Sequence, residues 1–430
     1  MAGMRTIPRM TAVLTSVVAL AGSILIAQPA SAAPGARPEL RPVTGLQGQT
    51  VPASLFGMHI ANLEYGAWPA DIPIGSVRLW DNQTTWSRIE KSQGNFDWTN
   101  LRTAINTAKS KGVNDILMVL AGTPAWATDD SAAGGLAGVD PGGAGFPRDL
   151  SWWDNWVNAV VDNFGNDISA YQIWNEANLS TFSTASPQEM AQLTKRAYDI
   201  IKRKDPTAIV VAPSTGTRLG GPFQRFYPAY LQELGALGWP VDVWSAHTYP
   251  ASLGQPDDRA ALAQMWIDTL RAAGAPDLPL WDTENNFGLK GPGPQNPDVD
   301  IEGERAAAWV GRTYLDALAL GMSRVYWYRF EGPNDLWGIQ MYNGTPGAQA
   351  YKTLYNWIVG ANFQGCTTKR GNLTTCTFSR NGQKFRIIYT ENGSRARFTK
   401  LPGSEVCTLN GACSPLSRSS YRTGSPVLVR

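Results

Sequence analysis

Between residues 50 and 358 short apolar runs alternate with helical patterns, and this alternation most limits the folds open to the chain. Eight candidate strands stand at 55–60, 76–80, 115–121, 169–175, 208–213, 241–247, 278–283 and 323–329. Several are rich in Val, Ile and Leu, as parallel strands covered on both faces must be. The clearest helix starts with Ser186 as N-cap and Pro187 in the first turn, with Met190, Leu193, Ala197 and Ile200 on one face. Others are expected near 98–111, 151–163, 223–237, 257–273, 302–320 and 347–358. Segments leading from helix into strand are short (112–114, 205–207, 238–240), whereas those leaving strands are long (122–150, 250–256, 285–301, 331–345). In a β/α barrel the variable loops follow the strands and carry the site, so the asymmetry marks a working face. An open doubly wound sheet is the alternative, but no GxGxxG turn follows the first strand. The expected fold is an α/β (β/α)8 TIM barrel over 50–358.

From 359 to 430 the texture becomes that of β-hairpins. Residues 375–378, 384–390 and 395–398 alternate or are β-branched, Asn381-Gly382 and Asn392-Gly393 read as turns, and 425–429 as a last strand. A small all-β domain, a β-sandwich, is expected, with 38–50 a candidate extra strand. The four cysteines, Cys366, Cys376, Cys407 and Cys413, all lie here and allow three pairings. Cys366–Cys376 and Cys407–Cys413 are favoured because each pair flanks a turn-rich stretch. Metal binding is the rival, but there is no CxxC spacing and neither histidine is near.

Residues 1–32 read as a signal peptide: Arg5 and Arg9, an apolar stretch 11–27, and Ala30-Ser31-Ala32 as cleavage site. The stretch is short against the ~20 residues of a membrane span. Cleavage would leave a tail or accessory strand at 33–49 and an exported protein, free of the membrane and expected to be a monomer. The 37 Lys+Arg exceed the 35 Asp+Glu only by Arg5 and Arg9. A balanced mature chain excludes a polyanion binder driven by bulk charge, so no nucleic acid is expected as partner.

Polar residues gather at the strand ends: His59 after the first, Arg78, Trp80 and Asp81 on the second, Trp174-Asn175-Glu176 after the fourth, His247 and Tyr249 on the sixth, Glu284 after the seventh, and Trp327 and Arg329 on the eighth. Two carboxylates facing one another across a barrel mouth suit glycosidic cleavage, which needs one proton donor and one ionised group. Glu176 is the expected acid/base and Glu284 the nucleophile, supported by Arg78 and Tyr249. No metal constellation is seen; Asp129 and Asp130 lack ligand spacing, and no cofactor is expected. Among the 17 tryptophans, Trp80, Trp86, Trp126, Trp174, Trp281 and Trp327 are candidates to stack on a sugar, while Trp152, Trp153, Trp156, Trp266 and Trp309 fall on helical patterns and read as core. The carbohydrate partner is a polysaccharide or oligosaccharide, with endo action suggested by the long loops. Exo cleavage, transglycosylation and a non-catalytic polysaccharide-binding barrel are the alternatives.

The chain resembles the clan A retaining glycoside hydrolases, most of all family 39, on Phe56-Gly57-Met58-His59, Arg78-Leu79-Trp80-Asp81, IWNEAN at 173–178, SAHTYP at 245–250 and DTENN at 282–286. GNFDW at 94–98 and TPAWA at 123–127 are also similar. The resemblance implies that Asn175 binds the sugar 2-hydroxyl, that Tyr249 hydrogen-bonds the nucleophile and that Trp327 floors the subsite. Ala177 stands where relatives usually carry proline, and Asn285-Asn286 where many carry an aromatic.

Overall fold

The computed structural model describes residues 45–134, 140–290, 299–334, 336–369, 372–390, 396–399, 404–416 and 420–430. The leader therefore lies outside the described residues, as do Asn392-Gly393 and Arg395. Eight parallel strands form one sheet: β1 (Phe56–Ile60), β2 (Ser76–Leu79), β3 (Ile116–Leu120), β4 (Ala170–Ile173), β5 (Ile209–Val211), β6 (Trp244–His247), β7 (Leu280–Asn285) and β8 (Met322–Phe330). Their order is β5-β4-β3-β2-β1-β8-β7-β6. The two edges meet through parallel bridges, Val211 with Val243 and Gly216 with His247, so the sheet closes into a TIM barrel.

Helices α1 (Trp86–Ile89), α2 (Thr99–Ser110), α3 (Leu150–Phe164), α4 (Pro187–Lys204), α5 (Gly220–Ala236), α6 (Pro256–Ala272), α7 (Gly303–Ala319) and α8 (Pro346–Ile358) fill the crossovers. Between β1 and β2 there is only a 3-10 turn, Leu63–Tyr65. α4 begins as its sequence requires, with a capping box between Ser186 and Glu189 and Pro187 at its start. The inner and outer faces follow the two-residue period of each strand. Leu117, Ala170, Val211, Val243, Trp281 and Tyr326 form an apolar plug inside the barrel. Gly57 faces this interior: a Cβ there would stand 2.4 Å from the Tyr326 ring.

Outside the sheet a tryptophan stack joins α1 to α3. Trp156 is fully buried, with Trp86 stacked at 6.2 Å and Trp98 at 5.9 Å. Trp126, a sugar-stacking candidate by sequence, belongs to this cluster: its indole packs edge-on to Trp86 and donates to Glu90 O at 2.9 Å.

The C-terminal domain is all β. Strands β9 (Asn362–Lys369), β10 (Leu373–Arg380), β11 (Gln383–Thr390), β12 (Ala396–Thr399), β13 (Glu405–Thr408), β14 (Cys413–Pro415), β15 (Ser420–Thr423) and β16 (Val427–Val429) make a six-stranded antiparallel sheet, β9-β10-β11-β16-β13-β14, and a ribbon, β12-β15. Asn381 and Gly382 both take positive φ in the turn between β10 and β11. Cys366–Cys376 and Cys407–Cys413 are bonded, each between directly opposed strand residues. Residues 48–51 pair with 361–363 through Gly48 N to Phe363 O (2.7 Å), Phe363 N to Gln49 O (2.9 Å) and Val51 N to Ala361 O (2.8 Å). The domain docks on α7, where Tyr389 donates to Asp316 Oδ1 at 2.8 Å. Among the described residues no helix is long and apolar enough to cross a membrane.

Replacing Trp156 by alanine leaves the stack without its centre. The expected loss is ~3–5 kcal/mol, the usual cost of deleting a buried aromatic, read as a lower urea midpoint at unchanged m-value.

Candidate active site

Above the apolar plug the barrel interior turns polar. Arg78 on β2 is fully buried. It donates from Nε to Gln172 Oε1 (2.7 Å), from Nη2 to Asn175 Oδ1 (2.8 Å) and from Nη1 to Glu284 Oε1 (2.5 Å). Gln172 donates onward to Ser245 Oγ (2.9 Å) and Thr283 Oγ1 (3.1 Å). One guanidinium and one amide thus tie β2, β4, β6 and β7 together at one level. Tyr249 donates its hydroxyl to Glu284 Oε2 at 3.0 Å, so both oxygens of Glu284 accept hydrogen bonds, the pattern of a carboxylate. Burial and the adjoining Glu284 hold the Tyr249 phenol well above its usual range, so it stays a donor.

Glu176 reaches the same space by a strained path. Trp174 (φ +67°) and Glu176 (φ +40°) both adopt left-handed backbone as the chain leaves β4. For residues with side chains that conformation costs on the order of 1–3 kcal/mol each and persists only where neighbours impose it. They do so here. Trp174 Nε1 donates to Phe182 O (2.7 Å), Glu176 N to Ser214 Oγ (2.9 Å), and Asn178 exchanges side-chain hydrogen bonds with the Gly216 backbone at 2.8 and 2.9 Å. A Cβ at Gly216 would stand 2.8 Å from Glu176 Oε1, so any larger residue there would displace that carboxyl. Burial pushes the Glu176 carboxyl up to about 7, with Arg218 and Arg78 pulling the other way.

His247 lies between the two acids, Nδ1 3.2 Å from Glu176 Oε1 and 3.5 Å from Glu284 Oε2. A shift in the β6–β7 register sets it level with Glu284. Burial pushes its imidazole down to about 3, against the pull of Glu284, so the ring is neutral at neutral pH. Neither nitrogen is aligned with a hydrogen-bond partner.

Six of the residues expected at the site, Trp80, Asn175, Glu176, His247, Tyr249 and Glu284, line one cavity of about 340 Å³ at the strand ends. Arg78 and His59 lie beneath it, His59 Nε2 standing 3.1 Å from Thr283 O and 3.2 Å from Arg78 Nη1. Asp81 sits to one side and accepts from Tyr328 and Arg329. Burial opposes its ionisation, but His59, Arg329 and Tyr328 outweigh that and hold the carboxyl well below the carboxylate range.

Trp327 does not floor the cavity. It is fully buried and packs outward on Phe287, because Tyr326 and Tyr328 occupy the inward positions on either side of it. The aromatic wall is instead Tyr328 with Trp337, whose ring stacks on Tyr249 at 5.4 Å. Trp86 and Trp174 are core, and Trp281 belongs to the plug. Gln172, a polar residue inside an apolar strand, was the available sign of the Arg78 network. Trp337, on a loop with no periodicity, gave none.

No family model and no curated protein sequence matches the chain. Solved structures do. A glucosidase from Croceicoccus marinus is similar over 91% of this chain and 96% of its own at 13% identity, with a TM-score of 0.59. A monomeric β-xylosidase from Caulobacter crescentus covers 90% and 97% at 16% identity and 0.62. A family 30 endoxylanase from Clostridium papyrosolvens covers 90% and 97% at 16% identity and 0.57. At such identities the likeness is one of fold.

A carboxyl raised by burial destabilises the folded state once it ionises. Below its ordinary value of 4.5 Glu176 is protonated folded or unfolded, so its burial as an anion costs nothing. As pH rises toward about 7 the folded state holds the extra proton, and stability falls across that window. Glu176→Gln should therefore gain on the order of 3 kcal/mol over wild type at pH 8 and little at pH 4, measured by urea unfolding at both.

Proposed function

We propose that this chain is an exported retaining glycoside hydrolase, a clan A enzyme in the neighbourhood of family 39, that cleaves O-glycosidic bonds by double displacement. One observation carries the reading. Two carboxyls from opposite strand ends converge on a single neutral imidazole, one holding its proton to about 7 and the other clasped by Arg78 and Tyr249.

Glu176 gives its proton to the glycosidic oxygen as Glu284 attacks the anomeric carbon. Glu176, now a carboxylate, takes a proton from water, which opens the glycosyl-enzyme and returns Glu284. Tyr249 and Arg78 keep the nucleophile oriented, and Asn175, anchored by Arg78, is placed for the 2-hydroxyl. The shared contact with His247 Nδ1 keeps one oxygen of each acid within about 7 Å of the other, which supports the ~5–5.5 Å carboxyl spacing of retention over the wider inverting one. The glucosidase, β-xylosidase and endoxylanase of like fold support the same chemistry. Their names divide between terminal and internal cleavage, and product length decides between them here. Export with removal of residues 1–32 is part of the proposal, and the two disulfides are consistent with it.

The test is release of reducing ends from plant, fungal and bacterial glycans and from a panel of p-nitrophenyl glycosides. Glu284→Gln should lose nearly all turnover while keeping the fold, read as an unchanged circular dichroism spectrum. For wild type kcat/KM should fall as pH rises through about 7, where Glu176 loses its proton. Glu176→Ala should keep activity only on aryl glycosides and lose that limb. Glycan binding with no product from any substrate would overturn catalysis.

A further inference from the structure

The cavity holds more hydrocarbon than a sugar uses. Four leucines line it, Leu179, Leu219, Leu289 and Leu336. A pyranose carries hydroxyls around its rim, and each one buried needs a partner that leucine does not supply. Leu219 and Leu336 are moreover 40% and 43% exposed, two of only five large apolar side chains left in water among the described residues. Apolar surface kept open at a cavity mouth marks a ligand that covers it.

Leu219 also breaks a local rule. It is the N-cap of α5 and makes no side-chain cap bond, at a position that favours Ser, Thr, Asp or Asn. At 40% exposure it leaves a large part of its apolar side chain in water at the cavity mouth.

The placement of these groups is specific. The direction of a Cβ at Gly216 meets Glu176 Oε1 at 2.8 Å and Leu179 Cδ1 at 3.4 Å, so Leu179 lies beside the carboxyl that protonates the departing oxygen. That oxygen must come within ~2.6–3.2 Å of the donor. Whatever is attached to it starts against Leu179, and the wall continues with Phe182 and Leu219. Of the polar groups there, the Thr217 hydroxyl is committed to His247 O (3.0 Å), the Arg218 charge acts on Glu176, and Thr181 adds one hydroxyl between Leu179 and Phe182.

We propose that the preferred substrate is a glycoside of an apolar alcohol, alkyl or aryl, whose hydrocarbon packs on Leu179, Phe182 and Leu219. The inference rests on Glu176 being the acid. As the bond from the sugar carbon to the alcohol oxygen breaks, that carbon bonds to Glu284, the oxygen takes the Glu176 proton, and the alcohol departs neutral.

The experiment compares methyl and octyl glycosides of glucose and xylose, with the corresponding disaccharides, in two readouts: kcat/KM for wild type, and affinity for Glu284→Gln by calorimetry below the micelle concentration. Each methylene seated on the wall should contribute about fourfold, so the octyl compound should exceed the methyl one by at least about thirtyfold in both. Leu219→Asn should cut that ratio on the order of tenfold while its Tm stays at or above wild type, because asparagine caps α5. Cleavage with equal use of octyl and methyl, or with the disaccharide preferred over octyl, overturns the apolar leaving group and leaves the glycosidase standing. Octyl preference in binding with no cleavage of any glycoside overturns the glycosidase, and the leaving-group role with it.

Discussion

The site depends on one buried guanidinium. Arg78 stands at the barrel axis with its donors fixed in a plane, and three of them are taken by side chains from β4 and from the loop and strand that present the two acids. A lysine could not serve in its place, because an ammonium has no fork to hold three acceptors at set angles. Arg78 also makes the two acids unequal in their partners. It grips Glu284 directly, whereas Glu176, equally a glutamate, receives only a distant share of its charge and keeps its proton. Two like side chains acquire unlike surroundings: burial holds the Glu176 proton against the pull of Arg218 and Arg78, while Glu284 is bonded to Arg78 and Tyr249.

How much of this was legible in the sequence follows from periodicity. The strands were readable because each is a continuous apolar run between polar loops, and their ends fixed where Glu176, His247 and Glu284 would emerge. All three were brought to one cavity. The tryptophans were less legible. Choosing Trp327 over Tyr328 requires the inward parity of β8, and the β1–β8 pairing shifts register just there, so counting by twos from the strand start is unsafe. Trp126 lies on a 3-10 turn that directs it to the helical layer. Leu219, Leu336 and Trp337 sit on loops, where neither period nor hydropathy tells which way a side chain points.

Three departures from local preference lie along one rim. Left-handed Trp174 and Glu176 follow β4, the uncapped start of α5 follows β5, and a buried, unbonded imidazole ends β6. These are three adjacent strands of the closed sheet, β5 meeting β6 across the bridges. α4 obeys the usual rules with a complete capping box, whereas α2 and α7 also start without a side-chain cap bond.

The pairing of residues 48–51 with 361–363 has a meaning for how such proteins can be recombined. The segment that delivers β1 into the barrel has its amides and carbonyls satisfied by the chain as it enters the terminal β-domain. The two ends of the barrel are thus sewn to each other by that domain's first strand. Shuffling the β-domain for another, or severing the gene at residue 359, would strip partners from the threshold of the barrel itself. The appendage is less a detachable module than the clasp of a ring.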